Sequence, residues 1–133
     1  MRKLKLDILD RNYHLRPMGC RLMGIDFGLK RLGIGVSNHE QDTASPLKTL
    51  HRRRFSLDIQ ELALLLTEYD VKGIIFGWPI NMDGSESKMC DRVRAFADEL
   101  GKTREIGARI KWMSAYDERL STKSVDEFMI KNV

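Results

Sequence analysis

Residues 23–36 read Met-Gly-Ile-Asp-Phe-Gly-Leu-Lys-Arg-Leu-Gly-Ile-Gly-Val. Two short apolar runs around a glycine-bearing turn predict a β-hairpin. Its strands are Leu22 to Asp26 and Leu32 to Ser37, joined through Phe27–Arg31. Asp26 stands at the tip of the first strand. An apolar core strand has little structural use for a charge there, whereas the glycines leave room for a phosphate or a metal ion. Such an acid is also a common turn-former or helix cap, so this motif alone leaves both readings open.

The rest of the chain supplies the partners for that hairpin. Thr43 to Leu50 is expected as a third strand, and Pro46 inside it favours a sheet edge. A helix is expected from Asp58 to Tyr69. Asp58 and Glu61 resemble a capping pair, and Ile59, Leu62, Leu65, Leu66 and Tyr69 form the inward stripe. Val71 to Phe76 is a β-rich apolar run closed by Gly77-Trp78-Pro79, as in a buried parallel strand. Turn chemistry at Asn81-Met-Asp-Gly84 leads to a helix capped by Ser85 and stopped by Gly101. Arg109 to Tyr116 alternates as a fifth strand. Ser121 or Thr122 is expected to cap a last helix with Val125, Phe128 and Met129 inward. The order β-β-β-α-β-α-β-α predicts an α/β fold with a five-stranded mixed sheet flanked by helices.

With 133 residues the chain supports one domain. Residues 1–20 lack clean periodicity and read as an N-terminal extension to a domain spanning 21–133. Hydrophobic side chains make up 42% and charged ones 32%, the mix of an ordinary globular domain without a membrane-spanning run. Cys20 and Cys90 form neither a metal-like pair nor a disulfide framework. The net charge of +4 is uneven. Residues 1–20 hold five basic and two acidic side chains, and the remainder holds 18 and 17. Nucleic-acid binding must therefore come from local clusters rather than the overall field.

Three chemistry-bearing segments follow expected strand ends: Asp26, the Trp78–Gly84 loop, and Asp117-Glu118. In open α/β sheets, ligands gather beyond the carboxyl ends of parallel strands. Two carboxylates on neighbouring strand ends suit Mg²⁺ (or Mn²⁺), a hard ion that could activate water on a phosphodiester. Period-2 alternation points Asp117 and Glu118 to opposite faces. Asp117 is the first choice as the second metal ligand. Lys30 and Arg31 lie in the turn beside Asp26, where they could hold a phosphate. Lys48, His51, Arg52, Arg53 and Arg54 form a second cluster, equally readable as a solvated loop. Trp78 could stack on a base, although packing over the core is the more common fate of such a residue.

Three segments together resemble the YqgF/RuvX family, small relatives of RuvC resolvases in the RNase H-like superfamily. They are Gly-Ile-Asp26-Phe-Gly-Leu-Lys-Arg-Leu-Gly-Ile-Gly-Val, Ile-Ile-Phe-Gly-Trp-Pro-Ile-Asn81-Met-Asp83-Gly84-Ser, and Tyr-Asp117-Glu118-Arg119-Leu120-Ser121-Thr122. The resemblance covers about residues 22–130. It implies an RNase H-like fold and a metal-dependent nuclease, cytoplasmic in bacteria, or organellar if the source is eukaryotic. The expected work is 5′-end processing of pre-16S ribosomal RNA, with branched DNA such as Holliday junctions as a further substrate.

The resemblance implies Asp26 as the first metal ligand, and Asp117, or alternatively Glu118, as its acidic partner. Arg119 and Asn81 join Lys30, Arg31 and Arg52 to Arg54 as expected nucleic-acid contacts. No membrane partner is expected, and a homodimer is left open. The family's usual Gly-Leu-Pro is Gly77-Trp78-Pro79 here. Its final helix, which begins with a further catalytic Asp, is expected to be missing after Val133. The alternative is a non-catalytic nucleic-acid or ribosome-associated binding module with an incomplete site. A two-lobed actin-like ATPase needs a longer chain.

Overall fold

The computed structural model describes residues 6–8 and 13–117. The expected hairpin is its centre. Strands β2 (Arg21–Phe27) and β3 (Arg31–Ser37) pair antiparallel, with Ile25 opposite Ile34 and Asp26 opposite Gly33. Strand β4 (Ala44–His51) continues the meander and forms one sheet edge. Pro46 sits there beside a register shift, where its missing N–H costs least.

The chain then crosses through helix α1 (Phe55–Glu68) to β5 (Val71–Trp78), which lies parallel to β2. Helices α2 (Lys88–Lys102) and α3 (Arg104–Arg109) lead to β6 (Trp112–Asp117), parallel to β5. The sheet is thus mixed and flanked by helices, as the sequence predicts.

A sixth strand, β1 (Leu6–Ile8), comes from the segment read as an extension. It pairs parallel with β6, Leu6 opposite Met113 and Ile8 opposite Ala115. The sheet order is β1-β6-β5-β2-β3-β4.

Period-2 alternation divides the sheet into two faces. Met23, Ile25, Ile34, Val36, Ile74, Phe76, Met113 and Ala115 meet the buried stripes of α1 and α2 in the main core. Phe96 of α2 lies 5.2 Å from the Phe27 ring, 5.7 Å from Phe55 and 6.3 Å from Phe76, in tilted and edge-on contacts. Each such side chain contributes roughly 1.5–3 kcal/mol by leaving water. The opposite face carries a smaller cluster of Leu22, Ile75, Trp112 and Tyr116.

Four boundaries differ from expectation, each for a local reason. Helix α1 starts three residues before Asp58, with Arg54 at its N-cap and no side-chain cap. The Asp58 carboxylate instead reaches back from the first turn to the Arg53 N–H. Ser85 does not cap α2, because its N–H and hydroxyl both donate to Asp83 within the preceding turn. Gly101 does not stop α2; it lacks the positive φ of a C-terminal glycine cap and is packed inside the last turn. The short helix α3 occupies the start of the segment read as the fifth strand, which begins only at Trp112. The expected last helix lies outside the described residues.

Candidate active site and nucleic-acid interface

The parallel strands β2, β5 and β6 end together, at Phe27, Trp78 and Asp117. The β2–β3 turn and the end of β4 share that edge, because Arg31 pairs with His51 and the Arg52 N–H donates to the Lys30 carbonyl at 2.8 Å. The expected ligand edge is therefore built from Asp26, the turn after it, and the β4–α1 junction.

Asp26 occupies a lane of nearly bare backbone. On one side it faces Gly33, where an added Cβ would meet the Asp26 Cβ at 3.5 Å, an ordinary contact. On the other side, one step beyond the Ile25–Phe76 pair, stands Gly77, followed across the sheet by Tyr116. The carboxylate is only partly exposed, and burial pushes it above the ordinary aspartate range by penalising its charged form. An acid held on rigid backbone, short of water and bordered by glycines can gain from a cation or a proton.

The second acid differs from the sequence reading. Asp26 and Asp117 are not on neighbouring strands, because β5 lies between them. The register also assigns them to opposite faces. Asp117 is level with Trp78 on the main-core side, and Asp26 shares the side of Ile75 and Tyr116. Asp117 is buried. Among the described residues, no three His, Cys, Asp or Glu side chains gather closely enough to share an ion. Glu118 and Arg119 lie outside the described residues.

The basic residues fall into two groups that charge alone could not separate. Lys30, Arg31 and Arg54 are exposed and enter no ion pair among the described residues. Arg53 and Lys48 share Glu61, at 2.8 and 3.0 Å, in a half-exposed pair of bridges worth little to stability. Arg52 is engaged in protein contacts. Its Nε donates to Asp58 Oδ2 at 3.3 Å and its Nη1 to the Gly28 carbonyl at 3.0 Å. Its guanidinium also lies 4.9 Å from the Phe27 ring centre and 5.2 Å from that of Phe96.

Asn81 is exposed within its own turn. Its N–H donates to the Ser85 carbonyl at 2.9 Å and its side-chain amide to Ser85 Oγ at 3.1 Å. Trp78 is buried in the main core, with Arg94 over its ring at 5.0 Å, so it offers no open face to a base.

The family model described as RuvX, Holliday junction resolvase, matches residues 20–133. The chain belongs to this family. Among its relatives, a protein of Rhodospirillum centenum (strain ATCC 51521 / SW) is 40% identical over 114 residues. That match covers 86% of this chain and 61% of the relative. A Ruegeria pomeroyi protein is 36% identical over 115 residues, covering 86% of this chain and 71% of its own. One from Sphingopyxis alaskensis is 40% identical over 114 residues, with the same two coverages of 86% and 71%. All three bear the name "Putative pre-16S rRNA nuclease". The chain thus spans between three fifths and about seven tenths of these family members.

Proposed function

We propose that this chain is a metal-dependent nuclease of the RuvX family, hydrolysing phosphodiester bonds in the 5′ leader of pre-16S ribosomal RNA, with branched DNA as a second substrate. The observation that carries the proposal is Asp26, a partly desolvated carboxylate in a glycine lane at the ligand edge of the sheet. The names of the relatives support the same reaction class. No helix among the described residues is long and apolar enough to cross a membrane. A cytoplasmic setting belongs to the same proposal.

The donor chemistry fits a hard divalent cation. Mg²⁺ is commonly held by one or two carboxylates and keeps several waters, so a single described acid is a sufficient start. Asp26 would supply one oxygen. Glu118 is proposed as the second donor in place of Asp117, which is buried and level with Trp78 on the main-core side, away from Asp26. When bound, the cation would polarise the phosphate and activate water. Lys30 and Arg31 would hold the phosphate near Asp26, and Arg54 a neighbouring one. Asp26 must be ionised to act.

The test is cleavage of pre-16S leader RNA and of a four-way DNA junction in Mg²⁺, Mn²⁺ and EDTA. Cleavage that persists in EDTA would reject metal dependence. Glu118→Gln is expected to abolish the rise in Tm that Mn²⁺ produces, while Asp117→Asn keeps it. The opposite pattern would restore Asp117 as the ligand.

Neutralising Lys30, Arg31 and Arg54 together is expected to weaken RNA binding and reduce the slope of log K against log salt by roughly 2–3, about one per phosphate contact. An unchanged slope would move the interface elsewhere.

A second reading, a non-catalytic binding module, is favoured because no three His, Cys, Asp or Glu side chains among the described residues gather closely enough to hold an ion. It predicts salt-sensitive RNA binding that survives Asp26→Asn, with no turnover.

A further inference from the structure

We infer that Arg52 is a positioning residue for Asp26 rather than a phosphate contact, and that Asp58 anchors it. This rests on the nuclease reading for its catalytic consequence; the clamp itself is read from the fold.

The three consecutive arginines differ in what surrounds them. Arg53 and Arg54 stand in water, while the Arg52 side chain is only 18% exposed and its partner Asp58 only 1%. The planar guanidinium spans two elements. Its Nε meets the Asp58 carboxylate in the first turn of α1, and its Nη1 meets the carbonyl of Gly28 in the β2–β3 turn. It also lies close to the adjacent rings of Phe27 and Phe96. The backbone adds a parallel tie, from the Arg52 N–H to the Lys30 carbonyl. Asp58 is held in turn, its second oxygen accepting from the Arg53 N–H at 3.1 Å.

Phe27 and Gly28 are the two residues that follow Asp26. Arg52 therefore grips the chain immediately beyond the acid, on the carbonyl and the ring, and ties it to α1 and the main core. A phosphate bound to Arg52 would have to compete with Asp58 and Gly28 for its donors. A lysine could not replace it, because a single ammonium cannot reach both acceptors in fixed directions while lying against the two rings as a planar group does. Tight positioning matters at such a site, since small displacements of a reacting group cost large factors in rate.

The experiment compares the full chain with Arg52→Lys, Asp58→Asn and Arg54→Gln. Its readouts are hydrogen exchange of the amides at residues 28–31, kcat and KM on pre-16S leader RNA in Mg²⁺, and the salt dependence of RNA binding.

Arg52→Lys and Asp58→Asn are expected to speed exchange at residues 28–31 and to lower kcat by about tenfold to a hundredfold. KM and the salt slope should stay near those of the parent. Arg54→Gln is expected to do the reverse, raising KM and lowering the slope by about 1 with kcat retained.

Unchanged exchange in Arg52→Lys would overturn the clamp. So would a reduced salt slope with kcat preserved, which would make Arg52 a phosphate contact. Should the parent chain fail to cleave any substrate, the nuclease reading falls, and exchange with the salt slope still decides for or against the clamp.

Discussion

Asp26→Asn is expected to cut cleavage by orders of magnitude and at the same time to raise Tm at neutral pH. The two effects share one cause. Burial holds the Asp26 carboxyl above the usual aspartate range because its charged form is short of water. Between the unfolded and the folded pKa, the folded chain binds more protons than the unfolded chain. The stabilising contribution of the protonated acid is thus fully present below the unfolded value and is lost as pH rises through the folded one. Asparagine carries no charge to desolvate. The variant should therefore gain Tm over the parent by about a few degrees at pH 7. The gap should close as pH falls towards the ordinary aspartate range.

Added Mn²⁺ should reverse the ranking. A ligand that binds only the folded state stabilises it by mass action, so the parent gains Tm with metal and the variant does not. Cleavage should fall by roughly two to three orders of magnitude, the scale lost when a preorganised charge partner is removed from a reacting centre. Thermal denaturation from pH 4 to 8, with and without Mn²⁺, together with single-turnover cleavage, checks all three parts. A variant less stable than the parent at pH 7 would contradict the desolvation argument. A variant that cleaves normally would remove Asp26 from the reaction.

The sheet centre was legible because its signals are local. β2, β3 and β5 are short apolar runs bounded by glycine, and Pro46 marks the β4 edge without reference to anything distant. What escaped depends on partners far along the chain. β1 has only Leu-Asp-Ile to declare itself, and it exists through pairing with β6, more than a hundred residues away. The placement of Asp117 needed two facts at once. Alternation separates it from Glu118, which is readable, but only the strand order puts β5 between β6 and β2, and that order is tertiary.

The arginines make the same point for the site. In sequence, Arg52, Arg53 and Arg54 are one charge run. In the fold, Asp58 and Glu61, one helical turn apart, draw Arg52 inward and Arg53 along the surface, leaving Arg54 to solvent. A usable signal existed in Asp58. An acid buried in the first turn of an apolar helix needs a cation, and the nearest basic residues precede it by four to six positions.

Gly28→Ala is expected to be the most damaging small substitution in the turn. A Cβ at Gly28 would sit 2.7 Å from the carbonyl oxygen of Arg31, closer than real Cβ contacts allow. The obstacle is backbone, not the end of a flexible side chain, so the turn itself must shift. That carbonyl belongs to the first residue of β3, and the carbonyl of Gly28 is the acceptor for Arg52. Relief of the clash therefore pulls on both ends of the hairpin turn and on the arginine that holds it. Forced overpacking of this kind costs about 1–3 kcal/mol, or a Tm lower by roughly 5–10 °C. Asp26 lies two residues away on the same backbone, so cleavage should fall further than stability, by about a hundredfold. Gly33→Ala supplies the comparison, because its Cβ meets only the Asp26 Cβ, at 3.5 Å. Its Tm should stay close to that of the parent. Denaturation and cleavage measured side by side separate the two glycines. Equal Tm values would show that the Gly28 approach constrains nothing. A Gly28→Ala variant that unfolds early yet cleaves at the parental rate would detach the turn from the placement of Asp26.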